Sequence, residues 1–146
     1  MKLTTRGHYS VKALLDLSLQ PAGQVSSVSA IAQRQGLPAP YLEKLLIEMR
    51  RSHLVTSVRG AHGGYLLAKP PAQISLGQIL EAVGESTSAV ISGIPREQAE
   101  DWVTSMLWQH LHQKLNAALY SITLEDLYYD ARSWQAAQGE GASFVV

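Results

Sequence analysis

Apolar residues recur at helical spacing over most of the chain, and the pattern changes to strand-like only once. Val11, Leu14, Leu15 and Leu19 share one face of a helix expected from about Thr5 to Gln20, which Pro21-Ala22-Gly23 ends. A short helix over Val28–Gln35 follows. Serines 26, 27 and 29 can accept from its free N–H groups, and Gly36 tolerates the left-handed turn that stops it. Only a few residues separate it from a third helix, with Pro40 in the first turn, where no N–H partner is needed. In it Leu42, Leu45, Leu46 and Met49 keep the i, i+3, i+4, i+7 rhythm of a buried stripe. Lys44, Ile47 and Arg51 fall off that stripe, and Glu43 and Arg50 flank it.

The period then shortens. Leu54-Val55-Thr56-Ser57-Val58 and Tyr65-Leu66-Leu67-Ala68 read as two strands joined by a glycine-rich tip, Arg59-Gly60-Ala61-His62-Gly63-Gly64, with Pro70-Pro71 closing the segment. Ser75 and Gln78 have the spacing of a capping box. The helix they open buries Leu76, Ile79, Leu80 and Val83 and ends at Gly84. Residues 85–94, rich in Ser, Thr and Gly, read as a loop. From about Pro95 to Ser121 a long stripe of Val103, Leu107, Leu111, Leu115, Ala118 and Ile122 returns. A helix of that length spans about 40 Å, longer than one small domain covers by itself, so its expected use is packing against a second copy of the chain. Thr123 with Asp126 marks a new helix start near Leu124, and the tail 139–146 is expected to fray.

Helix, helix, short turn, helix and hairpin is the order of a winged helix-turn-helix. The expected fold is therefore mostly α: residues 1–85 form that unit with its small two-stranded wing, 86–138 form a loop and dimerisation helices, and 139–146 form a flexible tail. Composition adds two constraints. The chain of 146 residues contains no cysteine, which excludes disulfides and cysteine-ligated metal centres. Net charge is zero, but residues 1–85 hold nine basic against five acidic side chains and 86–146 hold three against seven. A basic front and an acidic back suit a protein that meets phosphates with one face; ordinary solvated charge is the rival reading. There is no apolar run of membrane-spanning length, and the opening Met1-Lys2-Leu3-Thr4-Thr5-Arg6 has no secretory character, so a cytoplasmic location is expected.

In such a unit the helix after the turn fits the major groove of B-form DNA, and the wing reaches an adjacent groove. Arg59 stands at the wing's base, where a narrow minor groove attracts guanidinium, and Lys2, Arg50 and Arg51 suit phosphates. Gly60, His62, Gly63 and Gly64 at the tip, and Tyr41 and Lys44 on the third helix, complete the candidate DNA-binding set.

Several separated motifs sharpen this reading. The run Lys2-Leu3-Thr4-Thr5-Arg6-Gly7-His8-Tyr9-Ser10-Val11-Lys12-Ala13-Leu14-Leu15-Asp16 is followed by Ile31-Ala32-Gln33-Arg34-Gln35-Gly36 and Tyr41-Leu42-Glu43. Leu54-Val55-Thr56-Ser57-Val58-Arg59-Gly60, Gly63-Gly64-Tyr65-Leu66-Leu67-Ala68 and Ile79-Leu80-Glu81-Ala82-Val83 come after them. Together they resemble the Rrf2 family of bacterial transcription regulators, of the IscR and NsrR kind, densely over about 85 residues and loosely beyond. The resemblance implies a homodimer on a roughly palindromic operator, with a base-reading glutamate at Glu43 and a wing arginine at Arg59. A carboxylate in the groove can accept from a cytosine amino group; a solvated helix charge is the alternative. Pro40 and Lys44 depart from the IscR pattern, where serine and glutamine would stand, so a different operator is expected.

The resemblance also implies an iron–sulfur cluster in many members, held by three cysteines between the winged unit and the long helix. Here that stretch reads Glu85-Ser86-Thr87-Ser88-Ala89-Val90-Ile91-Ser92-Gly93-Ile94-Pro95, the third cysteine's place falls at Trp102, and a histidine ligand's place falls at Ser105. No cofactor and no metal site are expected. His110 and His112 point about 200° apart on a helix, which makes a shared ion difficult; a partly buried His110 and an exposed His112 are expected instead. Trp102, Met106 and Trp108 are candidates to line a pocket for a small apolar effector, although core packing is the commoner use of such residues. A protein effector is a further partner to consider. No nucleophile motif, phosphate loop or carboxylate pair suggests an enzyme. The rival to DNA binding is a winged helix used only as a protein-interaction module, against which Arg50, Arg51 and Arg59 argue.

Overall fold

A computed structural model describes residues 3–85, 95 and 97–143, with side chains as far as Gly139. The helices are α1 (Thr5–Leu19), α2 (Val28–Gln35), α3 (Ala39–Arg51), α4 (Leu76–Ala82), α5 (Ala99–Ser121) and α6 (Leu124–Ser143). Strands β1 (Val55–Val58) and β2 (Gly64–Leu67) form an antiparallel pair in which Val55 faces Leu67 and Val58 faces Gly64. No helix among the described residues is long and apolar enough to cross a membrane.

Helix α1 is the hub, packing on α2, α3, α4, α6 and β2. Its buried face is Gly7, Ser10, Ala13, Leu14, Asp16 and Leu17. Of the stripe expected from periodicity only Leu14 is fully buried; Val11, Leu15 and Leu19 are half-buried. The reason is close approach. A Cβ on Gly7 would come within 3.0 Å of the Leu80 side chain, so small residues rather than large apolar ones face α4.

Helix α3 buries Leu42, Leu45, Leu46 and Met49, the expected stripe. It ends in a Schellman turn: the His53 N–H donates to the Arg50 carbonyl and the Leu54 N–H to the Met49 carbonyl, each at 3.0 Å. His53 holds the left-handed position with φ 61°, where glycine is the usual residue. Since an L side chain costs about 1 kcal/mol there, His53→Gly is expected to stabilise the fold by roughly that amount, seen as a higher urea midpoint at unchanged slope. A lower midpoint would show that the imidazole makes a compensating contact.

The wing is anchored at its base. Ser26, just before α2, exchanges two backbone hydrogen bonds with Tyr65 of β2, at 3.0 and 2.8 Å. The capping box of α4 is present: Ser75 Oγ accepts from the Gln78 N–H at 3.1 Å, and the Ser75 N–H donates to Gln78 Oε1 at 2.8 Å. Its Gly77 lies beneath the Tyr120 ring, which a Cβ would strike at 2.6 Å. The Tyr120 hydroxyl donates to Glu81 Oε2 at 2.6 Å, and that hydrogen bond, with burial and the nearby charge adding, raises the phenol pKa. Tyr120 thus fastens α5 to α4.

Helix α5 starts at Ala99 rather than Pro95, and among its residues Leu119 is buried. Thr123 and Asp126 cap α6 reciprocally, at 3.2 and 2.9 Å. Helix α6 then returns along α1, placing Leu124 in the same core as Leu14, Leu42 and Ile79. Helix α6 runs on to Ser143; residues 144–146 and the expected loop 86–94 lie outside the described residues.

Candidate nucleic-acid interface

The outward side of α3 is a consequence of its buried side. With Leu42, Leu45, Leu46 and Met49 turned to the core, Pro40, Glu43, Lys44, Ile47, Arg50 and Arg51 fall within an arc of about 120° on the opposite side. All of these but the half-buried Ile47 are exposed. The side chains of Lys44, Arg50, Arg51 and Arg59 have no ion-pair partner among the described residues, in which the one salt bridge joins Arg34 to Asp16. Free cations on the outer side of α3 and on the wing are electrostatically unfinished, which is the state expected of groups that meet phosphate.

Tyr41 stands apart from that arc. It is half-buried and edge-on to Tyr9, with ring centroids 6.0 Å apart. Lys2 lies outside the described residues. At the wing, Arg59, Gly60 and His62 are exposed, and Gly60 has φ 117° in open space. Gly63 and Gly64 have a different reason to be glycine. A Cβ on Gly63 would lie 2.2 Å from the Val58 carbonyl oxygen, and one on Gly64 would lie 2.2 Å from that of Ser26. These two glycines let the hairpin close and let it dock.

A polar cluster that the hydrophobic pattern does not show holds this frame. Asp16, 2% exposed, accepts from Arg34 Nε at 3.0 Å and Nη2 at 2.7 Å and from Gln35 Nε2 at 2.7 Å. Arg34 Nη2 also donates to Ser26 Oγ at 2.9 Å. The hydrogen bond to Asp16 is the chief cause of a raised Arg34 pKa; partial burial opposes it and the carboxylate's attraction adds to it. Two further basic groups of the N-terminal half are turned inward: Lys12 Nζ donates to the Gln35 carbonyl at 2.9 Å and Arg6 Nη1 to the Val83 carbonyl at 3.0 Å. The one available signal was an aspartate set between Leu15 and Leu17 on a helix that the hydrophobic pattern otherwise turns toward a core.

Residues 3–130 match the Rrf2 family, whose description is iron-dependent transcriptional regulator. The chain belongs to the Rrf2 family. It is 63% identical over the full length of both chains to a protein of Synechocystis sp. named as an HTH-type transcriptional regulator. It is 40% identical to the regulator IscR of Cronobacter sakazakii, over 87% of this chain and 80% of that one. Among solved structures, IscR of T. potens superposes with a TM-score of 0.74 at 38% identity, over 92% of this chain and 91% of that one. CymR, the global cysteine regulator of B. subtilis, gives 0.76 at 29% identity, over 88% and 97%. The mostly helical winged fold is common to these regulators.

The donor set of this Rrf2 protein does not fit a cysteine-ligated cluster, because the chain has no thiol. Among the described residues no three His, Asp or Glu converge as metal ligands. The expected burial of the α5 histidines is reversed: His110 is exposed, while His112 is half-buried with Nδ1 enclosed and unpartnered among the described residues. Trp102, Met106 and Trp108 are all exposed. Trp102 and Met106 lie about 40° apart around α5, and Trp108 more than about 100° from either, so one chain does not gather them into a pocket.

Proposed function

We propose that this protein is a homodimeric, sequence-specific DNA-binding regulator that reads a roughly palindromic operator and works without an iron–sulfur cluster. The observation that carries the reading is the free arc Glu43, Lys44, Arg50 and Arg51 on α3, set beside a wing whose exposed tip bears Arg59 and His62. Helix α3 enters the major groove with Glu43 toward base edges; Arg50 and Arg51 take phosphates; Arg59 reaches the adjacent minor groove. The relatives named as HTH-type regulators support the same reading.

Dimerisation is supported by α5, on which Val103, Leu107 and Leu111 are each about half exposed in the single chain. A contiguous apolar stripe of that size on a soluble chain marks an association surface. The missing thiols support regulation without a cluster, which separates this chain from iron-dependent relatives.

The test is selection of genomic DNA fragments on the purified protein at low and moderate salt. One palindromic motif is expected, with affinity falling steeply as salt rises because phosphate contacts release counterions. Anaerobic incubation of the same protein with iron and sulfide should leave no stoichiometric iron after desalting and no change in the selected motif. No enriched motif at either salt would assign the winged helix to a protein partner instead.

A further inference from the structure

The wing is joined to α1 and α2 through a small set of polar groups rather than through apolar packing alone. Asp16 of α1 holds Arg34 and Gln35 at the end of α2. Arg34 also grips the hydroxyl of Ser26, and Ser26, 2% exposed, is the residue whose backbone pairs with Tyr65 of the wing. One carboxylate therefore ties together the first helix of the turn motif, the segment that enters it, and the hairpin. Carboxylate–guanidinium forks are directional, because two parallel N–H bonds constrain angle as well as distance. Apolar contacts do not constrain angle in that way. Asp16 is 2% exposed while the Arg34 side chain keeps 33% of its exposure, so the carboxylate alone is withdrawn from water, and that withdrawal is costly unless its lone pairs are engaged.

We propose that Asp16 is a positioning residue for DNA reading: through Arg34 and Ser26 it sets the angle of the wing relative to α2 and α3, so that Arg59 and the face of α3 engage the duplex together. The inference rests on the DNA-binding reading above. Contacts made at once are worth more than the same contacts made singly, since a wing free to swing must be ordered at each binding event. Specific binding needs both elements in register; non-specific binding, which needs only positive charge near phosphate, does not.

The test compares Ser26→Ala, Arg34→Gln and Asp16→Asn in the full chain with the unchanged protein. Ser26→Ala leaves the fork on Asp16 and the backbone pairing with Tyr65 in place, so it folds even if Asp16→Asn does not. Hydrogen–deuterium exchange is read at the amides of Ser26 and Tyr65 against that of Leu46 in α3. Binding is read on the duplex recovered by selection and on a scrambled duplex of equal length. In each variant that folds, exchange at Ser26 and Tyr65 should quicken by about tenfold with Leu46 unchanged, which corresponds to a lost hydrogen bond of ordinary strength. Affinity for the selected duplex should fall by about tenfold, affinity for the scrambled one by less than about twofold, and the hydroxyl-radical footprint should fade at its wing-side edges first. Equal acceleration at Leu46, or a parallel fall on both duplexes, would reduce Asp16 to a stabilising residue and overturn the proposal. If the unchanged protein binds no duplex, the DNA-binding reading fails, and the exchange measurement by itself decides whether Asp16 orients the wing.

Discussion

Gly64→Ala should unseat the wing, with a loss of about 2–4 kcal/mol in stability and at least a hundredfold fall in affinity for the selected duplex. The added Cβ would lie 2.2 Å from the Ser26 carbonyl oxygen, 2.5 Å from its carbon and 2.7 Å from the Ser27 nitrogen. All three are backbone atoms, so no rotamer change relieves the overlap. Either β2 withdraws from Ser26, losing both hydrogen bonds between Ser26 and Tyr65, or the entry to α2 moves and carries the Arg34 contact with it. Both routes displace the wing, and Arg59 with it. Gly60→Ala is the matched control: Gly60 also has a positive φ, at 117°, but a Cβ there meets nothing within 4 Å. It should cost only conformational strain, of the order of 1 kcal/mol. Urea unfolding and fluorescence anisotropy on the same preparations separate the two. Equal midpoints for the two variants would mean that the wing has room to absorb the methyl group, and the account of Gly64 would be wrong.

The second large effect is expected at Leu111, midway along α5. If the protein is the dimer proposed above, Leu111→Glu should convert it into monomers near the chain mass of 15.9 kDa, seen by sedimentation. Leu111 is 48% exposed in the single chain, with Leu107 one turn before it. A partner's α5 laid along this stripe would remove those side chains from water, each contributing of order 1–2 kcal/mol from the area buried. A carboxylate in the centre of that contact would be stripped of solvent without a partner, at a cost of several kcal/mol. A monomer holds one half-site only, so the advantage of linking two binding events disappears, and affinity for a palindrome should fall by about a hundredfold or more. Helices α1 to α4 should be untouched, because Leu111 is not among the residues of the core they share, and α5 meets α4 near its other end, through Tyr120 on Gly77 and Glu81 and the Leu76 N–H on the Ile122 carbonyl. A Leu111→Glu protein that sediments as a dimer would place the subunit contact elsewhere on the molecule.

These two expectations differ in how far the chain announced them. The stripe on α5 is periodic, so its residues could be named from the sequence. The buried face of α3, the capping boxes of α4 and α6, and the hairpin between β1 and β2 were legible for the same reason. Each is written in residues no more than one or two turns apart, where spacing alone decides which side chains meet. The outward arc of α3 follows as the complement of its buried face, and with it the candidate DNA-contacting residues Glu43, Lys44, Arg50 and Arg51. Gly63 and Gly64 were visible as a tip signal, but their reason was not. They are glycines because the Val58 and Ser26 carbonyls approach them, and the approach of Ser26 comes from a distant part of the chain.

What the tertiary structure alone decided is of that long-range kind. Helix α1 turns Gly7, Ser10 and Ala13 inward because neighbouring helices press close on that side, whereas a hydrophobic pattern favours its larger residues. Asp16 meets Arg34 from 18 residues away, and Tyr120 meets Glu81 from 39, distances at which spacing carries no information. The relative burial of His110 and His112, and the separation of Trp108 from Trp102 and Met106, depend on which side of α5 is covered, and the helix is apolar on too many sides for its sequence to choose. By itself the sequence determined the order of the helices and strands, the caps of α2, α4 and α6 and the side of α3 left free, because hydrogen-bond ladders and side-chain periodicity are local. The partners of Asp16 and the contact of Ser26 with the wing were decided only by the folded chain, because a buried carboxylate takes its partners from whichever segments the core brings within reach.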